Sequence, residues 1–214
     1  MDRKIVYFSV AVAMAALLLV FAFLPCVSLK CTNSLGNQVD TKVSGLDAMR
    51  AYFTAGDSQA KRDLAQDIFA NDPNNAYAAI VDQQGMLLDL IESETTATSP
   101  DFERLNKLSS YITMIAMAAL LLLLFGLVSL ILGIVALVGS RAPLLHIFYI
   151  CSAVIAGVVG LGVTLIATVA AATIEGVGIQ AWSIIVGVLG LAYAISPFIA
   201  MKFKACVLKE SLKS

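Results

Sequence analysis

Charge is scarce in this sequence. Asp, Glu, Lys and Arg make up 14% of its 214 residues, against about 25% in an ordinary soluble domain. There is no basic excess either. The net charge is −1 and no Lys/Arg block forms a polyanion-binding patch, which argues against a nucleic-acid partner. Histidine occurs once, as His146. Lying beside Arg141, it reads as an interfacial residue, and one histidine cannot supply bis-histidine haem ligation within one chain. The four cysteines, Cys26, Cys31, Cys151 and Cys206, have no zinc-ligand spacing. Only Cys26 and Cys31 lie close together outside an apolar run. That C-x4-C spacing fits a small disulfide loop or two free thiols equally. No cofactor and no metal is expected.

Apolar length is what the chain has in excess: 59% of it is hydrophobic and its mean hydropathy is +0.88. Tyr111–Val138 carries no charged side chain. A helix rises about 1.5 Å per residue, so this run reaches roughly 42 Å, more than a hydrocarbon core of about 30 Å requires. In lipid its backbone polar groups are satisfied within the helix. Three other runs read the same way, and the pattern predicts an all-α membrane protein, a bundle of four transmembrane helices.

The first run follows a short polar head, MDRK, and covers Ile5–Leu24. A cleaved signal peptide has a shorter apolar core and a small-x-small site. A lipoprotein anchor on Cys26 needs small residues where Leu24 and Pro25 stand. A retained helix over 1–25 is therefore favoured, with Pro25 as its stop. Residues 26–108 form the only large polar segment, with twelve acidic and seven basic residues. Its start alternates Val27, Leu29, Val39 and Val43 around Asn33–Asn37, the signature of a short hairpin. The remainder reads as helical. Ser44 caps a helix with Leu46, Met49 and Phe53. Asp57 or Ser58 caps a second, with Leu64, Ile68 and Phe69 on one face. Asn71-Asp72-Pro73 opens a third. That third helix has an apolar stripe at Tyr77, Val81, Leu88 and Ile91, is weakened by Gly85, and carries Asp82, Asp89 and Glu92 on a solvated face. After a loop at Glu94–Pro100, Ser99 or Asp101 caps a helix that becomes the second span, 109–139. The third span is 144–173, the fourth 181–201 with Trp182 as an interface anchor, and 202–214 is a tail.

The basic residues set the orientation. Arg3, Lys4, Arg141, Lys202, Lys204, Lys209 and Lys213 would share the cytoplasmic side of a plasma (inner) membrane. The acidic 26–108 segment and Glu175 would lie outside, with both termini in the cytoplasm.

The spans contain no Asp, Glu, Lys or Arg, which speaks against a proton-coupled pump, because buried ionisable groups mark such relays. They are rich in small residues instead. Ala153, Ala156, Gly157 and Gly160 in the third span, with Gly187 and Gly190 in the fourth, let helices approach closely. Packing inside the bundle is the favoured reading, packing against a partner's helix the second. Ser196-Pro197 predicts a kink in which serine replaces part of the lost bonding.

Phe23-Leu24-Pro25, Val27-Ser28, Cys31, Gly36 and Val43-Ser44-Gly45-Leu46-Asp47 together resemble the first loop of bacterial four-helix membrane proteins of undefined activity. A large first loop and a small second one are similar to the claudin-type topology, although the claudin Trp and Cys signature is missing. The resemblance implies no activity. The expected function is a non-enzymatic membrane protein, an accessory, scaffold or assembly subunit that contacts the lipid bilayer and other membrane subunits or itself. The alternative is a homo-oligomeric channel or small-solute pore, its wall drawn from Ser152, Thr164 and Thr168.

Overall fold

The structure is a computed structural model and describes residues 3–93, 100–138 and 143–211. Residues 94–99 of the expected Glu94–Pro100 loop, with the cap candidate Ser99, lie outside the described residues, as do residues 139–142 and the side chains of His146 and Cys206, whereas Pro100 opens a helix. In chain order the elements are α1 (Arg3–Phe21), β1 (Pro25–Thr32), β2 (Gln38–Ser44), α2 (Gly45–Phe53), α3 (Ser58–Phe69), α4 (Ala76–Glu92), α5 (Pro100–Val138), α6 (Pro143–Thr173), β3 (Val177–Ile179) and α7 (Ala181–Ser211). Among the described residues three stretches, Pro100–Val135, Ile147–Thr173 and Ala181–Phe198, are long and apolar enough to cross a membrane, and α1 carries a shorter apolar stretch, Ser9–Val20. By composition the chain is a membrane protein.

One packing unit comprises Met1–Phe21, Leu121–Gly162 and Ile185–Ser214. It is wholly helical among the described residues. Ala11, Ala15 and Leu18 put a stripe of α1 inside, at the spacing of one helix face. Glycine allows α5 to lie close to α1: a Cβ on Gly126 would stand 3.0 Å from Leu19, and one on Gly133 would stand 2.9 Å from Val12. Ser129 and Tyr193 hydrogen-bond through their hydroxyls, both fully buried. Pro197 lies inside α7 and removes the N–H that would bond the Tyr193 carbonyl. The Ser196 hydroxyl donates to that carbonyl at 2.9 Å, the compensation the Ser-Pro pair led us to expect.

The second unit comprises Ala22–Leu120 and Val163–Ile184. Its three-stranded sheet has the order β2-β1-β3. β1 and β2 form the expected hairpin, with Val27 opposite Val43 and Cys31 opposite Val39. Asn33 closes its turn by accepting the Leu35 and Asn37 N–H groups. An all-helical reading omits β3, which pairs antiparallel with β1. Its three residues, Val-Gly-Ile, are too few to show a two-residue period.

Helix starts follow side-chain chemistry. Ser44 and Asp47 form a reciprocal capping box on α2, and Asp57 rather than Ser58 caps α3. The third start is displaced. Asn75 caps α4, because the Asn71 and Asp72 N–H groups are held by the Ile68 carbonyl at the end of α3, leaving Pro73 in the turn. Helices α5 and α6 contribute core to this unit: Leu105, Leu108, Ile112, Ile115, Ala116 and Ala119 of α5 are buried, as are Ala167 and Ala170 of α6. Each fully buried Leu or Ile contributes about 1.5–3 kcal/mol relative to exposure. The first turns of the Tyr111–Val138 run therefore pack one face on a protein core, while Met114, Met117 and Leu120 on the other side are exposed.

Candidate functional site

The mixed sheet-and-helix unit holds the chain's concentration of polar and ionisable side chains. Of the three carboxylates that the sequence places on a solvated face, Glu92 is exposed and Asp89 half-exposed, but Asp82 is not. Asp82 is fully buried and its two oxygens accept the Ser34 N–H at 3.0 Å and the Ser34 hydroxyl at 2.6 Å. Arg62 pairs with Asp89, and Glu92 accepts the Ser58 hydroxyl at 3.0 Å. An isolated buried carboxylate is costly, so it survives only where donors meet it; here they come from the hairpin turn.

Helix α3 turns inward with Ser58, Lys61, Ala65 and Phe69, while Leu64 is 37% exposed. Lys61 takes the inner position because its ammonium donates to the Thr54 carbonyl at 2.9 Å and to Gln84 Oε1 at 3.0 Å. Burial lowers its pKa below the ordinary 10.5. Gly85 permits this contact, since a Cβ there would stand 3.0 Å from Arg62 and 3.1 Å from the Ser58 carbonyl. In the expected α4 stripe, Val81 is buried, Tyr77 and Leu88 are half-buried, and Ile91 is exposed. The buried face instead includes Ile80, Asp82, Gln83 and Leu87.

Cys26 and Cys31 are both free and buried, which decides against the disulfide loop. They sit in the same strand, and five residue steps of strand span about 16 Å, far beyond the roughly 7 Å limit between bonded cysteines. Burial pushes each thiol up to about 11; at Cys31 the Arg104 guanidinium opposes the rise and Asp82 adds to it. These are inert core thiols, since the thiolate is the reactive form. Arg104 also donates to the Glu175 and Lys30 carbonyls at 3.4 Å each. Among the described residues no group of three His, Cys, Asp or Glu side chains could hold a metal ion.

The small residues of the third and fourth spans do come together. A Cβ on Gly157 would stand 2.5 Å from the Gly190 carbonyl, and one on Gly190 would stand 2.6 Å from the Gly157 carbonyl. A Cβ on Gly160 would stand 3.4 Å from Gly190 Cα and from the Val186 carbonyl, an ordinary contact. Ala153 and Ala156 are fully buried, and Gly187 is buried on α7. Trp182 is the second residue of α7 and is 42% exposed.

One feature escapes sequence reasoning. Phe53, expected inside, is 65% exposed, and Tyr52 beside it is 45% exposed. Their rings meet edge to face at 5.1 Å. A period-3.6 count assigns Phe53 to the buried face, but α2 buries Gly45, Ala48, Met49 and Ala51 instead. Chemically, the polar groups of this unit clamp its helices and hairpin to one another. No family model matches the chain, and neither a curated protein nor a solved structure does.

Proposed function

We propose that the chain is a four-span, non-enzymatic protein of the plasma (inner) membrane, an accessory or assembly subunit whose extracytoplasmic 26–108 segment binds another membrane subunit. Four helical segments supply the spans: α1 and the apolar parts of α5, α6 and α7. At 19 residues, α1 reaches about 28 Å, enough for a hydrocarbon core. Both termini lie in the cytoplasm, as the distribution of Lys and Arg requires. A reporter fused after Ser214 will be active in the cytoplasm and one inserted near Ala97 outside; both reporting one compartment would sink this topology.

The observation that carries the binding role is the contrast between occupied polar groups and unoccupied aromatic ones. Asp82, Asp89, Glu92 and Lys61 are engaged by partners within the unit, whereas Tyr52 and Phe53 stand in the open. Aromatic anchors of this kind dominate interface energetics. The protein is isolated from its native membrane in mild detergent, and the mass and composition of the complex are measured. A stoichiometric foreign subunit, lost with Phe53→Ser, is the expected result. A homo-oligomer without a partner replaces this reading with a pore.

A further inference from the structure

Between α4 and α5 lies a small cavity whose walls include Ile80 and Gln83 of α4 and Leu105, Leu108, Ser109 and Ile112 of α5. It has room for about one water molecule. Gln83 is 4% exposed. Its amide nitrogen is committed, donating to the Thr32 carbonyl at 3.0 Å and to Met86 Sδ at 3.4 Å. Its Oε1 is buried and without a hydrogen-bond partner in the protein. Flipping the amide would only set an oxygen against the Thr32 carbonyl, so Nε2 must keep its place. The neighbouring Gln84 Oε1 is itself an acceptor, held by the Lys61 ammonium, and cannot partner another acceptor.

We propose that this cavity is a binding site for a single structural water, donating to Gln83 Oε1 and exchanging a hydrogen bond with the Ser109 hydroxyl. Two polar groups and one water-sized space are the minimum such a site requires. With Gln83 already bonded to the end of β1, the water completes a chain from hairpin to α4 to α5. The site therefore fixes how the hairpin and α4 are held on α5. It does not depend on the function proposed above.

The two fillings of the cavity predict opposite responses to one substitution. Ser109→Val expels a water and strands Gln83 Oε1; in a dry apolar cavity it fills space and adds burial. Ser110→Val, at an exposed neighbouring site, corrects for the lower helix propensity of valine. Amide hydrogen exchange across α4 is measured on the full chain in detergent. Exchange about fivefold or more faster in Ser109→Val than in Ser110→Val is expected. Equal or slower exchange overturns the proposal. Ser109→Ala, which adds no bulk, keeps the test valid if valine disrupts folding: faster exchange than in Ser110→Ala supports the water, and parity overturns it.

Discussion

Asp82 shows at the residue scale how one buried carboxylate organises a loop. Its side chain is fully buried and its two oxygens accept the backbone N–H and the hydroxyl of Ser34. Hydrogen bonds to a charged group contribute about 1.5–3 kcal/mol each. Asp82→Ala removes an acceptor of two donors, and we expect it to cost about 3 kcal/mol or more in urea unfolding followed by circular dichroism. Asp89→Ala, which breaks an ion pair with a 42% exposed carboxylate side chain, should cost under about 1 kcal/mol. Equal losses would show that burial does not set the difference. The thiols give a pH dependence of defined sign. In the fold Cys26 and Cys31 ionise at about 11, above the ordinary 9.0, so the folded state holds these protons more tightly than the unfolded one. Their contribution is fully present below pH 9 and is lost as pH rises towards 11. A Cys26→Ala, Cys31→Ala double variant should show a shallower loss of stability across that window, and an unchanged slope would refute it.

At the scale of elements, two glycines fix how neighbours meet. Gly176 has φ +83 and a Cβ there would clash with the Lys30 carbonyl, while its own carbonyl accepts the Lys30 N–H at 2.7 Å. Gly176→Ala is strained in backbone and in space, so we expect β3 to detach and the Lys30 amide to lose hydrogen-exchange protection. In α6, Gly157→Ala meets the Gly190 carbonyl, whereas Gly162→Ala meets nothing within 4 Å. The first should destabilise the helical unit by about 1–3 kcal/mol through overpacking. The second should be neutral or stabilising by up to about 1 kcal/mol. Thermal unfolding in detergent distinguishes them, and equal effects would remove the close-packing argument. These elements differ in how legible they are in the sequence. The hairpin declares itself because alternating valines and a glycine-containing turn are local signals, and so do the Ser44 and Asp57 caps. Strand β3 is silent because pairing with β1 is a long-range event. The inward turn of α3 is hidden because lysine counts as polar in any periodicity, yet Lys61 satisfies its ammonium on Thr54 and Gln84. Asp82 is hidden for the same reason, and Phe53 for the converse one.

For the whole molecule the open choice lies between a scaffold and a pore, and water access to the span hydroxyls tests it. A pore needs them facing water; a bundle in lipid needs them satisfied within the protein. Ser152 is 4% exposed and its hydroxyl donates to the Tyr149 carbonyl at 3.0 Å. The Thr164 hydroxyl donates to the Ser183 carbonyl, and Thr168 donates to the Thr164 carbonyl at 2.7 Å. All three spend their proton on backbone oxygens, as a packed bundle does. Thr168 remains exposed, so Ser152 is the cleaner probe. With the four native cysteines replaced by alanine, Ser152→Cys should stay unmodified by a membrane-impermeant maleimide in intact native membranes and react once the protein is denatured in detergent. Rapid labelling of the native protein, blocked by a permeant thiol reagent added first, would place water beside α6. The scaffold would then give way to an oligomeric channel, with liposome conductance as its direct measure.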